Sequence, residues 1–215
     1  DRPEHPRRGG GRPPRRWMIT AVLLAAGRSS RLGAAEDSKM LLPWGDADEP
    51  MVVGTVRRLL ATAIDKVVVV IGHRADEVRC ALAPTGVQVV LNPDFAHGLS
   101  TSIATGVRAA PEGTNGILFA LADMPSVTTD TINRMCSTFA AHPSAIVAPV
   151  SRGRRGNPVL FSHGFRQQLL ALEGDRGAGG LLARYAASVV EVEVDDDGIF
   201  TDVDTLQDYH KLRQS

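Results

Sequence analysis

The chain has 215 residues, 43% of them hydrophobic and 22% charged, with acidic and basic side chains in equal number. That size and balance fit one globular domain that buries enough surface to fold without a metal or disulfide staple. Aromatics make up only 5%, too few for base-stacking platforms, and no stretch reaches about 18 uncharged apolar residues, so neither a nucleic-acid groove nor a membrane span is expected.

Residues 1–17, DRPEHPRRGGGRPPRRW, hold six Arg against Asp1 and Glu4, and the rest of the chain carries the compensating net charge of −4. Rich in Pro, Gly and Arg, this stretch cannot build a core. It reads as a disordered basic tail, which puts the folded domain at 18–215. The apolar run that follows, ITAVLLA (19–25), comes after twin arginines and ends in small residues. It has two readings: the hydrophobic part of an export signal, or a buried strand feeding a phosphate-binding loop.

Similar runs recur at KVVVVIG (66–72), VQVVLN (87–92), GILFALA (116–122), AIVAPV (145–150) and VVEVEV (189–194). Most are near-continuous rather than alternating, the mark of parallel strands covered on both faces. Between them, apolar residues at three- and four-residue intervals predict helices over 50–63, 73–83, 100–110, 129–141, 163–172 and 205–212. This alternation predicts an α/β, doubly wound, mostly parallel sheet. Cys80 and Cys136 fall in helical segments at no metal-ligand spacing. Both are expected to be reduced core thiols, which favours a reducing, cytoplasmic compartment.

In such a sheet, ligands gather beyond the carboxyl ends of the strands at the topological switch point. Four segments there are informative. LLAAGRSSRLGAAEDSK (23–39) has small residues after a strand, so the backbone can approach an anion closely. Arg28, Arg31 and Lys39 supply charge, and Ser29 and Ser30 supply hydroxyls. It is neither GxGxxG nor GxxxxGK[ST], so it is neither a dinucleotide fingerprint nor a P-loop. In LFALADMPSVT (118–128), Asp123 stands at a strand's carboxyl end, where it reads either as a carboxylate for Mg²⁺ or as a turn or helix-capping residue. NPDFAHGLSTSIATGV (92–107) opens a helix at Gly98, Ser100 and Ser102. Its N-terminus is either free for an anion or simply capped. In TDVDTLQDY (201–209), Asp202 and Asp204 flank a Val, so an extended segment points both the same way. They read as a second metal contact or as a helix cap. GRRGNPVLF (153–161), with Asn157 in a turn into a strand, and EGDRGAGGLL (173–182), with Asp175, read as pocket walls or as plain turns.

Taken in order, LAAGRSSRLG…K, GLSTS, LADMP, GNPVLF, GDRGAG and DVDT resemble the MobA-like NTP transferases, with molybdenum cofactor cytidylyltransferases the nearest members. The resemblance spans about residues 19–212 and implies a Rossmann-like nucleotidyltransferase fold. It implies that Leu23, Ala25, Ala26, Gly27, Arg28, Ser29, Ser30 and Gly33 hold the nucleotide. It implies that Asp123 holds Mg²⁺ with Asp202 or Asp204, and that Arg31 and Lys39 stabilise a leaving pyrophosphate. Ala-Ala-Gly in the first loop leans toward CTP, where Ala-Gly-Gly leans toward GTP. The expected reaction moves CMP from CTP to a phosphorylated acceptor, molybdopterin first. Gly98, Ser100, Ser102, Asn157 and Asp175 are the expected acceptor contacts. A molybdenum hydroxylase is an implied partner, and the chain is expected to be a monomer or weak dimer. A cytidylyltransferase for a sugar or methylerythritol phosphate, and a non-catalytic nucleotide-binding partner of a molybdenum enzyme, remain competing readings. On this view the apolar run 19–25 is the first strand, because cleavage after Ala26 would destroy the loop that the later motifs complete.

Overall fold

A computed structural model describes residues 17–27, 38–45, 47–175 and 177–213. In chain order, strand β1 (Ile19–Ala25) leads to the short hairpin β2 (Pro43–Trp44) and β3 (Glu49–Pro50), then α1 (Met51–Leu60), β4 (Lys66–Ile71), α2 (Ala75–Leu82) and β5 (Gln88–Leu91). Then come α3 (Leu99–Ala109), β6 (Gly116–Leu121), α4 (Thr129–Ala141), β7 (Ile146–Ser151), β8 (Arg154–Arg155) and β9 (Val159–Ser162). The chain finishes with α5 (Arg166–Leu170), α6 (Gly179–Arg184), β10 (Val189–Glu193) and α7 (Leu206–Arg213).

The main sheet runs β10-β7-β9-β6-β1-β4-β5, with β8 beside β7. β1 pairs in parallel with both β4 and β6, and β4 with β5, so the mostly parallel sheet expected from the apolar runs is present. Every residue of β1 is buried. Strand alternation sends Ile19, Ala21, Leu23 and Ala25 to one core layer, under α1, α2 and α4. It sends Val22, Leu24 and Ala26 to the other, under α3, α5 and α6.

Two features go beyond the sequence reading and one expectation needs correction. β9 runs antiparallel between β6 and β7. The connection from β7 is too short for a parallel crossover, which needs a dozen or so residues, so the chain must turn back on itself. α6 was not expected, because its glycine-rich start hides the helical spacing. Cys80 is exposed on α2 and only Cys136 is a core thiol. Burial first, then the negative charge of Asp65, pushes the Cys136 thiol up to about 11, which keeps it protonated at neutral pH. Trp17, the last residue of the sequence-defined tail, is half-buried against the core. Residues 1–16 lie outside the described residues.

At Gly106, α3 lies close against the sheet. A Cβ there would stand 2.2 Å from Cγ1 of buried Val22. Gly106→Ala is therefore expected to destabilise the protein by about 2 kcal/mol through overpacking, despite alanine's better helix propensity. Urea unfolding at neutral pH checks this.

Candidate active site

Among the parallel strands the chain first adds β4 and β5 on one side of β1, then returns to add β6 on the other. The switch point therefore lies between β1 and β6, and a crevice opens beyond their carboxyl ends. The residues there line a cleft of about 510 Å³: Ala25, Ala26 and Gly27 after β1, Leu121 and Asp123 after β6, and Lys39 from the returning loop. That volume lies within the range of small-molecule sites.

Lys39 anchors one end of the cleft. Its ammonium donates to Asp123 Oδ2 at 2.6 Å and to Asp204 Oδ1 at 3.3 Å. The lysine is 8% exposed, so a partner for its charge is required. Its two partners come from segments 84 and 165 residues away. The 201–205 segment is held in place by Val203, whose N–H donates to the Asp123 carbonyl at 2.8 Å. Val203 is fully buried, Asp204 half-buried and Asp202 exposed. Of the two sequence candidates, only Asp204 thus reaches the lysine. Among the described residues no three His, Cys, Asp or Glu side chains cluster as metal ligands. Two carboxylates do converge on one positive charge, and Mg²⁺ commonly takes one or two carboxylates and fills its shell with phosphate oxygens and water. The donor set fits such an ion.

The first loop is only partly visible. Arg28, Ser29, Ser30, Arg31 and Gly33 lie outside the described residues. Leu23 needs correction as a nucleotide contact: it is wholly buried and turned by strand alternation into the layer under α1, while Leu24 reaches the cleft wall.

Gly98, Leu99, Ser102, Phe95 and Asp175 also line the cleft. Here the start of α3 is occupied, not free. The Leu99 N–H donates to Asp175 Oδ1 at 3.2 Å, and the Ser100 N–H to the Gly174 carbonyl at 3.2 Å. Asp175 is thus the anion at this helix N-terminus. Gly98 has φ +112°, and a Cβ on it would stand 2.7 Å from the Gly174 carbonyl carbon, so this crossing of two backbones requires glycine. Ser102 accepts from Asn92 Nδ2 at 2.9 Å, and Ser100 is buried away from the cleft. Asn157 is not among the cleft residues. With Pro158 it faces a separate apolar cavity beside α1 and α4 that shares Leu121 with the cleft wall. The sequence reading missed Phe95 and Gly72. A Cβ on Gly72 would meet the Phe95 ring at 2.7 Å and the Ala26 methyl at 2.9 Å, so these three residues interlock at the cleft wall. An aromatic residue three positions before Gly98 was the available signal.

A cleft of this construction has known counterparts. The family model described as the MobA-like NTP transferase domain matches residues 21–189. The chain belongs to this family. As a MobA-like NTP transferase it is 32% identical over 209 residues to the nicotine blue oxidoreductase of Paenarthrobacter nicotinovorans, covering 90% of this chain and 96% of that protein. It is 27% identical to the molybdenum cofactor cytidylyltransferase of Escherichia coli K12, covering 89% and 93%. Among solved structures, Rv0371c of Mycobacterium tuberculosis H37Rv superposes with a TM-score of 0.82 at 32% identity, over 93% of this chain and 98% of that one. Rv0371c has also been crystallised as a complex with manganese. No described helix of this MobA-like NTP transferase is long and apolar enough to cross a membrane.

Proposed function

We propose that this nucleotidyltransferase moves CMP from CTP to a phosphorylated small-molecule acceptor, with molybdopterin the first candidate, and releases pyrophosphate. The observation that carries this reading is the Lys39–Asp123–Asp204 cluster set beside Ala25–Gly27 at the switch point. Both reactants are anions, so catalysis consists of positioning and charge neutralisation. A phosphate oxygen of the acceptor attacks the α-phosphorus. The bond from that phosphorus to the bridging oxygen of the β-phosphate breaks, and pyrophosphate carries away the electron pair. Lys39, with Arg31 of the first loop, holds the charge of the leaving group. Asp123 and Asp204 keep the Lys39 ammonium in the cleft and would hold Mg²⁺. When bound, Mg²⁺ supplies neutralising charge to the phosphate oxygens. Asp175, Gly98 and Ser102, which line the same cleft, are the candidate acceptor contacts. A sugar or methylerythritol phosphate is the competing acceptor class.

Ala26 carries the case for CTP. Its methyl is buried at the cleft wall beside Gly72, where Ala-Ala-Gly stands in place of Ala-Gly-Gly. A group of that size discriminates between substrates by about 1–3 kcal/mol. CTP is therefore expected to raise the melting temperature more than GTP in the presence of Mg²⁺. Thermal-shift measurements check the order, and GTP above CTP would remove the assignment. Incubation with CTP and a panel of phosphorylated acceptors, read by pyrophosphate release, then sorts the acceptor classes.

A further inference from the structure

Outside the cleft, a small apolar cluster of Trp44, Met51, Val203 and Tyr209 stands apart from the two layers of the main core. It joins two stretches of chain that also meet at the site. One runs from Lys39 through the 3₁₀ turn Lys39–Leu41 into β2, and the other runs from Val203 and Asp204 into α7. The two stretches touch at both ends. At the cleft the Lys39 ammonium meets Asp204 at 3.3 Å, and four residues beyond Lys39 the Pro43 carbonyl accepts from the hydroxyl of Tyr209, five residues beyond Asp204, at 2.6 Å. Tyr209 is 5% exposed, its ring lies 6.1 Å from that of Trp44, and its oxygen accepts from Arg213 at 3.1 Å. Arg213 in turn reaches Asp48, in the β2–β3 turn, at 2.6 Å.

We propose that Tyr209 is a positioning residue for the site: through Pro43, α7 clips the stretch bearing Lys39 to the segment bearing Asp204 and so sets where the ammonium stands. A lysine has four rotatable bonds and a large entropy to lose on fixing. Carboxylates can hold its tip only if its backbone is held at a matching distance. The Met51 N–H to the Leu42 carbonyl at 2.9 Å ties the stretch after Lys39 to α1. The Tyr209–Pro43 bond ties the same stretch to the Asp204 side. Tyr209 is not among the residues that line the cleft, so it acts through Lys39 and Asp204.

This inference rests on the triphosphate reading of the cleft, and its test separates the two. Tyr209→Phe keeps the ring against Trp44 and removes only the hydroxyl. In EDTA, with no metal present, the Kd for CTP by calorimetry is expected to weaken about fivefold, the loss typical of one hydrogen bond. In a Lys39→Ala background the same change is expected to cost nothing more, because the group it positions is gone. Unchanged affinity in Tyr209→Phe, or a double variant that loses the full product of the two single effects, overturns the proposal. Amide hydrogen exchange of the ligand-free protein reads the clip without any nucleotide. Tyr209→Phe is expected to speed exchange at Leu42 and Val203, and unchanged protection at both overturns the clip. A wild-type protein that binds no CTP, with or without Mg²⁺, refutes the nucleotide reading instead, and the exchange result still decides the role of Tyr209.

Discussion

Asp123→Ala is expected to abolish turnover while leaving the fold intact. The side chain lies at the cleft, 23% exposed, and its bond goes to the Lys39 ammonium. The structural tie at this position is main-chain: the Val203 N–H donates to the Asp123 carbonyl, which alanine retains. The variant should therefore melt within a few degrees of wild type. Its activity should fall by about 100-fold or more, the scale seen when one preorganised electrostatic contact is lost. Two effects combine. The lysine is left with Asp204 at 3.3 Å as its one remaining partner of the pair, and the cleft loses a carboxylate from the set that fits Mg²⁺. Pyrophosphate release with CTP and Mg²⁺, beside a thermal melt, checks both halves. Near-normal turnover would take Asp123 out of the chemistry.

Asp196→Ala is expected to have the converse effect, costing stability at a residue that does not line the cleft. This carboxylate is 6% exposed. One oxygen accepts from the Thr128 N–H, the Thr128 hydroxyl and the Thr131 hydroxyl, at 2.9, 2.9 and 2.6 Å, and the other from the Gly198 N–H at 2.9 Å. It ties the stretch after β10 to the first turn of α4, whose N-cap is Thr128. Alanine leaves four donors without this acceptor, so the loss is expected to be about 3 kcal/mol in urea unfolding at pH 7. Burial by itself raises the carboxyl pKa, but the bonds from Thr131, Thr128 and Gly198 outweigh it and hold the group below its ordinary 3.8. The native protein therefore binds this proton less readily than the unfolded chain does. The stabilisation is complete above the unfolded value and is lost as pH falls below 3.8 through the native one. The gap between wild type and Asp196→Ala should be flat above about pH 5 and close in stronger acid. A gap that stays constant down to the acid limit would show that the carboxylate's charge is not what holds α4.

The parallel strands were legible because burial on both faces leaves each as an unbroken apolar run. β1 fell on residues 19–25 as expected. β9 was harder to place because four buried residues carry no mark of direction, and its antiparallel course follows from the length of the preceding turn. Asp123 was legible as a strand-end carboxylate and Lys39 as part of the first loop. That the two meet, and that Asp204 rather than Asp202 joins them, is a long-range packing result. It depends on Val203 being buried and on α7 docking beside the β2–β3 hairpin. Capping of α3 by Asp175 was likewise illegible, since the two residues lie 76 positions apart and each fits a plain turn. Cys80 looked like core because α2 has apolar spacing, yet its buried face is carried by Val78 and Leu82.

The union of the 174–175 backbone with the start of α3 constrains how this wall of the cleft can be re-engineered. A loop transplanted from a relative into 173–180 must bring both an acidic side chain for the Leu99 amide and a main-chain oxygen for the Ser100 amide, and must leave Gly98 untouched. A graft lacking either would strip hydrogen bonds from the helix beneath the pocket, so altered selectivity would arrive together with a loosened floor. Swaps should therefore start beyond Asp175, on the stretch leading into α6.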